Sequence, residues 1–196
     1  MTPGWRSCSS ATAPRARSPP IESITTPTFG ALCESGCDRI VALGSVGGLR
    51  TELGPGTVIA PDDFLALGTY PTFHDDTLGY AVPGFDATWR RAVVAQWSSS
   101  IVDGGTYAQV GGPRFETPAE IRLLATFADV VGMTIAAECV LAGEAGLAYA
   151  AVCKVDTLAN GIAPGAPSVL DQYRDNAAAG ADQFAAEVTA LISAMS

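Results

Sequence analysis

The stretch "LAYAAVCKV", residues 147–155, is apolar at nearly every position. A strand with one wet face alternates polar and apolar residues. A run without that alternation belongs to a strand covered on both faces, as in a central parallel sheet. Covering both faces takes helices, and the chain supplies them. "DATWRRAVVAQW" (86–97) places Trp89, Ala92, Val93 and Gln96 or Trp97 at helical spacing. "AAECVLAGEAG" (136–146) reads as a helix closed by Gly146. Ser168, with Asp171 three residues on, caps a last helix that Gly180 interrupts. Short β-rich runs fall between these segments: "DRIVAL", "GTVIA", "TYAQV" and "DVVGM". Strands alternating with helices predict an α/β fold, with a central, mostly parallel mixed sheet flanked by helices. No internal repeat and no second domain is visible.

The chain has 196 residues, enough for one such domain with a real core. Its net charge of -9 argues against a nucleic-acid backbone or an anionic membrane as partner. No apolar run is long enough to span a bilayer, and "MTPGWRSCSS" lacks the hydrophobic core of a secretory signal. The odd count of five cysteines suggests reduced thiols and a cytoplasmic protein. Cys33 and Cys37 sit at helical spacing, but no further His or Cys completes a zinc site, so no metal is expected. Residues 1–30, rich in Ser, Thr, Pro and Ala without periodicity, read as an aberrant, disordered segment ahead of an ordered domain over 31–196.

In open α/β sheets ligands collect at the carboxyl ends of strands. Three such ends carry unusual residues. Gly44, Ser45, Val46, Gly47 and Gly48 read as a tight turn, either plain or one whose N–H groups approach an anion. In "GGPRFET" (111–117), Phe115 and Glu116 precede a strong helix start: Thr117 as N-cap, Pro118 in the first position and Glu120 completing a capping box. Phe115 alone also fits a core, and Glu116 a helix-start acid. Met133 and Thr134 follow the next strand, where Met is also core filler and Thr also a cap. His74, in the polar loop "PTFHDD", reads as a surface residue.

Taken in this order, "GSVGGLRTELGPGTVIAPDDF", "GTYAQVGGPRFETPAE", "ADVVGMTIAAECVLAGEAGLAYA" and "VDTLANGI" resemble the trimeric nucleoside phosphorylases, the family of purine nucleoside and methylthioadenosine phosphorylases. The resemblance runs from about Ala31 to the end of the chain. It implies phosphorolysis of an N-glycosidic bond, with free base and sugar 1-phosphate as products. Inorganic phosphate is then the co-substrate, no cofactor is needed, and the full-length protein is a homotrimer. It also implies roles. Gly44, Ser45 and Val46 meet phosphate and sugar, and Thr134 reaches phosphate. Met133 lies under the sugar and Phe115 packs on the base. Glu116 accepts the N1 hydrogen of a 6-oxopurine. Asp156 or Thr157 stands where the family reads or protonates the purine edge. The base-reading residues point both ways: Glu116 toward 6-oxopurines, an Asp near Asp156 toward methylthioadenosine.

The front of the family pattern is missing. Its Gly-rich phosphate loop, an Arg-His-Gly and the first strands are not visible. Read one base out of phase, Ser9–Ala13 and Pro20–Gly30 admit strings similar to what the family carries before "DRIVAL". Residues 1 to about 30 are therefore expected to be an out-of-frame reading of such a gene, leaving a chain of impaired activity. The competing expectation is a non-catalytic remnant that binds a purine or associates with other subunits. A dinucleotide-binding module is disfavoured, because no G-x-G-x-x-G opens a helix after a strand.

Overall fold

A computed structural model describes residues 21–68, 70–74 and 81–195. Residues 1–20, most of the segment expected to be aberrant, lie outside the described residues. The described chain forms six helices and seven strands. They are α1 (Ile21–Glu34), β1 (Arg39–Gly48), β2 (Val58–Ala60), β3 (Asp63–Ala66), α2 (Ala87–Gln96), β4 (Val102–Asp103), β5 (Thr106–Gln109), α3 (Pro118–Leu124), β6 (Val130–Gly132), α4 (Ile135–Glu144), β7 (Ala148–Leu158), α5 (Val169–Ala178) and α6 (Ala181–Met195).

The strands form one sheet in the order β3-β5-β6-β1-β7-β2-β4. The central pair, β1 and β7, is parallel over its length, from Arg39↔Ala148 to Gly48↔Leu158. β6 and β2 flank that pair and run antiparallel to it, while β3, β5 and β6 are mutually parallel, as are β2 and β4. This is the expected mixed, mostly parallel sheet. β3 and β4, of four and two residues, are too short to carry a periodic signal in the sequence.

β7 shows why its sequence lacks alternation. Tyr149, Ala151, Cys153 and Val155 enter one buried cluster with Ile135, Ala136 and Cys139 of α4. Ala150 and Val152 enter another with Trp89, Val93 and Trp97 of the α2 segment and Leu191 of α6. Both faces are dry, and successive residues serve opposite cores. A third cluster, with Ile121 and Leu124 of α3 against Leu49, Ala108 and Val131, anchors the helix behind the "GGPRFET" turn.

Two expectations shift. Helix α1 begins at Ile21, ahead of the Ala31 boundary, and Phe29 within it is 4% exposed in the α4-side core. The glycine-rich stretch is not a turn: β1 continues through Gly44–Gly48. Its glycines answer close approach. A Cβ on Gly48 would lie 2.1 Å from the Leu53 carbonyl oxygen, which only a residue without a side chain permits. Gly180, at φ 70°, divides α5 from α6, as its position suggested.

Candidate active site

The ladder between β1 and β7 slips between Val46 and Gly47. Val46 pairs with Val155 and Gly47 with Thr157, leaving Asp156 as the extra residue. Such a bulge re-aims side chains that a regular pleat would send to opposite faces. Here Asp156 and Thr157, both nearly buried at 5% and 4% exposure, line the same cavity. The bulge therefore brings both residues to one cavity.

The next wall comes from β6. After Gly132 the chain turns into α4 through Met133 and Thr134. Thr134 is the N-cap of α4 but makes no side-chain cap hydrogen bond. The capping is done from the neighbouring strand. The Tyr107 hydroxyl accepts the N–H groups of Thr134 (3.2 Å) and Ile135 (3.4 Å), and Gln109 Oε1 accepts that of Ala137 (2.9 Å). The Thr134 hydroxyl is thus left for the cavity that Thr134 lines.

The third wall is the turn after β5. Gly112 has φ 52°, and a Cβ there would fall 2.6 Å from Met133 Sδ, so the turn and Met133 are packed directly together. Thr117 and Glu120 form the full capping box of α3, and Arg114 holds Glu120 through two hydrogen bonds of 2.8 and 2.7 Å. Asn160 Nδ2 donates to the Glu116 carbonyl (3.1 Å), tying this turn to the segment after β7. Glu116 itself is 8% exposed. Burial pushes its carboxyl above the ordinary range, and among the described residues no other side chain donates to it.

Together these walls enclose a cavity of about 400 Å³. Gly44, Ser45, Val46, Phe115, Glu116, Met133, Thr134, Asp156 and Thr157 all line it. Volumes of roughly 300–1,000 Å³ are usual for small-molecule sites. Across one wall the Ser45 hydroxyl donates to Asp156 Oδ2, and the Lys154 ammonium lies 2.9 Å from Asp156 Oδ1. Tyr173 of α5 closes the cavity beside Phe115, with ring centroids 6.5 Å apart. His74 is not part of this wall. Its loop is tied to Glu144, at the far end of α4, which accepts from the Thr72 hydroxyl (2.7 Å) and the Phe73 N–H (2.6 Å).

Tyr107, Gln109, Lys154, Asn160 and Tyr173 were not among the residues the sequence singled out. Only Lys154 offered a clear signal: it is the chain's sole lysine, set within an apolar strand, where a cation must find partners. Among the described residues no group of three or more His, Cys, Asp or Glu stands together as a metal site. None of the described helices is long and apolar enough to cross a membrane.

The sheet and its cavity define an α/β protein built to enclose a small, polar-edged ligand. A family model for the phosphorylase superfamily matches residues 20–193, and the chain belongs to that superfamily. It is 40% identical over 152 residues to a probable 6-oxopurine nucleoside phosphorylase of Archaeoglobus fulgidus, covering 76% of this chain and 63% of that one. It is 41% identical over 139 residues to a probable S-methyl-5'-thioinosine phosphorylase of Methanothermobacter thermautotrophicus, covering 68% and 49%. An S-methyl-5'-thioadenosine phosphorylase of Pyrococcus abyssi is 33% identical over 145 residues, covering 70% and 56%. The chain thus spans from about half to 63% of these relatives. Among solved structures, methylthioadenosine phosphorylase from Schistosoma mansoni in complex with tubercidin superposes with a TM-score of 0.70 at 22% identity, covering 90% of this chain and 72% of that one. At that identity the likeness speaks to the fold.

Proposed function

We propose that this chain carries the nucleoside site of a phosphorylase acting on a 6-oxopurine nucleoside or its 5'-methylthio counterpart. One observation carries the choice of base: Glu116, desolvated and without a donor side chain, faces the cavity beside Phe115. A largely buried acceptor that no side chain serves favours a ligand that brings an N–H to it. The N1–H of a 6-oxopurine is such a donor, and a 6-aminopurine has none. The names of the two relatives at 40% and 41% identity agree with that choice.

The reaction then follows from charge. A phosphate oxygen bonds to the anomeric carbon, the C–N9 bond breaks, and its electron pair moves into the purine. The sugar passes through an oxocarbenium-like state. Glu116 holds N1–H as that charge spreads over the base, Phe115 keeps the base plane in place, and Met133 lies against the sugar. Phosphate sits between the backbone of Gly44 and Ser45 and the Thr134 hydroxyl. Thr157 reads the purine edge. No cofactor is needed. We place the protein in the cytoplasm and expect a homotrimer. Exposed Leu67, Leu123 and Phe127 on the outside of the site turn support association, and free thiols at Cys33, Cys37, Cys139 and Cys153 support a reducing compartment.

The test is phosphate-dependent release of base from inosine, methylthioinosine, adenosine and methylthioadenosine by the full chain. The expected result is turnover of the 6-oxopurine pair ahead of the 6-aminopurine pair. Glu116→Gln should lower kcat/KM for inosine by roughly ten- to a hundredfold, since a charge-assisted hydrogen bond is worth about 1.5–3 kcal/mol. Base binding without phosphate-dependent release would favour the non-catalytic reading. Equal losses on all four substrates would reduce Glu116 to a helix-start acid.

A further inference from the structure

Lys154 has no place in the scheme above, yet its ammonium is engaged on every side. Its ammonium donates to the carbonyls of Asn176 (3.2 Å) and Ala179 (2.7 Å) at the carboxyl end of α5. That is the favourable end of a helix dipole for a cation. The same ammonium lies 2.9 Å from Asp156 Oδ1, an oxygen with no aligned hydrogen bond of its own. Both side chains are largely buried, at 12% and 7% exposure. The other carboxylate oxygen, Oδ2, accepts the Ser45 hydroxyl proton. Ser45 and Lys154 are register partners on β1 and β7, so the three groups stand in one row across the central strand pair.

The row has a direction. Lys154 compensates Asp156, Asp156 accepts the Ser45 O–H, and Ser45 is left showing the cavity its lone pairs. A hydroxyl fixed in that way accepts and does not donate. It suits a hydroxyl donor and not an anion, because its own proton is already committed to Asp156.

We propose that Lys154 is a positioning residue which, through Asp156, orients Ser45 to accept a hydrogen bond from a sugar hydroxyl of the nucleoside. This rests on the nucleoside reading of the cavity. It gives Ser45 a sugar contact through its side chain and leaves phosphate to the backbone and Thr134. It also removes Asp156 from the groups that act on the base, since both its oxygens are engaged within the protein.

The test needs no turnover. The full chain is titrated with hypoxanthine, inosine, 2',3'-dideoxyinosine and inorganic phosphate, with circular dichroism and thermal melts as controls for folding. In the native chain, inosine should bind more tightly than the dideoxy compound. Ser45→Ala should reduce that ratio by roughly two- to tenfold, the range of one neutral hydrogen bond, while hypoxanthine and phosphate affinities stay within about twofold of native. Asp156→Asn and Lys154→Met should erode the same ratio, and Lys154→Arg, which keeps the cation, should preserve it. Should Lys154→Met fail to fold, Asp156→Asn and Ser45→Ala carry the test. An unchanged ratio in Ser45→Ala, or a loss of phosphate affinity there, would overturn the proposal while leaving the nucleoside reading in place. Failure of hypoxanthine, inosine and phosphate all to bind would overturn that reading, and this proposal with it.

Discussion

Two carboxylates line the same cavity and are treated in opposite ways. Asp156 is held from within: a serine hydroxyl on one oxygen, a lysine ammonium beside the other. Glu116 has its carbonyl held by Asn160, while its carboxylate meets its own backbone N–H and no donor side chain. A buried carboxylate gripped by side chains fixes a structure, and one that no side chain serves is open to a ligand's donor. The contrast predicts that Asp156 and its partners govern stability and geometry, and that Glu116 governs which ligand is taken.

The largest effect expected is on the satisfied side. Lys154→Met leaves Asp156 as an uncompensated buried charge and also strips two carbonyls of α5 of their donor. Breaking such a pair typically costs about 3–5 kcal/mol. Urea unfolding should show the loss as a lower midpoint at unchanged slope. The double variant Lys154→Met, Asp156→Asn should recover much of it, which would mark the cost as that of an orphaned charge. A loss below about 1 kcal/mol would place the pair with ordinary surface ion pairs and erase the contrast.

The turn carrying Glu116 is held by backbone geometry. Gly112→Ala places a Cβ at φ 52° and against Met133 Sδ. The left-handed conformation alone costs about 1–2 kcal/mol for a residue with a side chain, and Met133, displaced, should weaken nucleoside binding as well. Calorimetry and a nucleoside titration on the same variant check both. Thr117→Ala, which removes the cap of the helix behind the turn, should cost roughly 1 kcal/mol in thermal or urea unfolding. If Thr117→Ala changes stability but not inosine affinity, the turn is held by its glycine and by Asn160 and not by α3.

The contrast between the two carboxylates was half legible in the sequence. Devices that close within a few residues could be read directly: the Thr117 and Ser168 caps, the capping box at Glu120, and Gly146 and Gly180 at helix ends. The long β7 declared itself by lacking alternation. Devices that join distant residues could not be read. The Tyr107 and Gln109 caps on α4 lie 27 and 28 residues from the groups they satisfy. The ladder slip that turns Asp156 and Thr157 to one cavity exists only once β1 and β7 are paired. The glycines at 44–48 mimic a turn because close packing and turning ask for the same missing Cβ. The expected site residues were named because the family pattern marks them, while the pairing that separates Asp156 from Glu116 needed the third dimension.

The smallest effect expected is in the pH dependence of stability, and it separates the two carboxylates most directly. Burial raises the folded-state pKa of Glu116, so the folded chain binds that proton more tightly than the unfolded chain does. Its contribution to stability is then fully present below the unfolded value and is lost as pH rises through the folded one. Glu138, half-buried beside the α4-side core and hydrogen-bonded by Tyr149 (2.7 Å), is shifted in the same direction for the same first cause. Glu120 runs the other way: Arg114 holds it down at about 2, so its contribution appears above the unfolded value and fades as pH falls toward 2. Unfolding curves between pH 4 and 8 should therefore decline less steeply on the alkaline side in Glu116→Gln than in the native chain. Glu138→Gln should flatten the same limb independently, and a ligand offering N–H to Glu116 should flatten the native curve without any substitution. The last comparison is the discriminating one. If saturating hypoxanthine leaves the native slope as steep as before, the base does not meet Glu116.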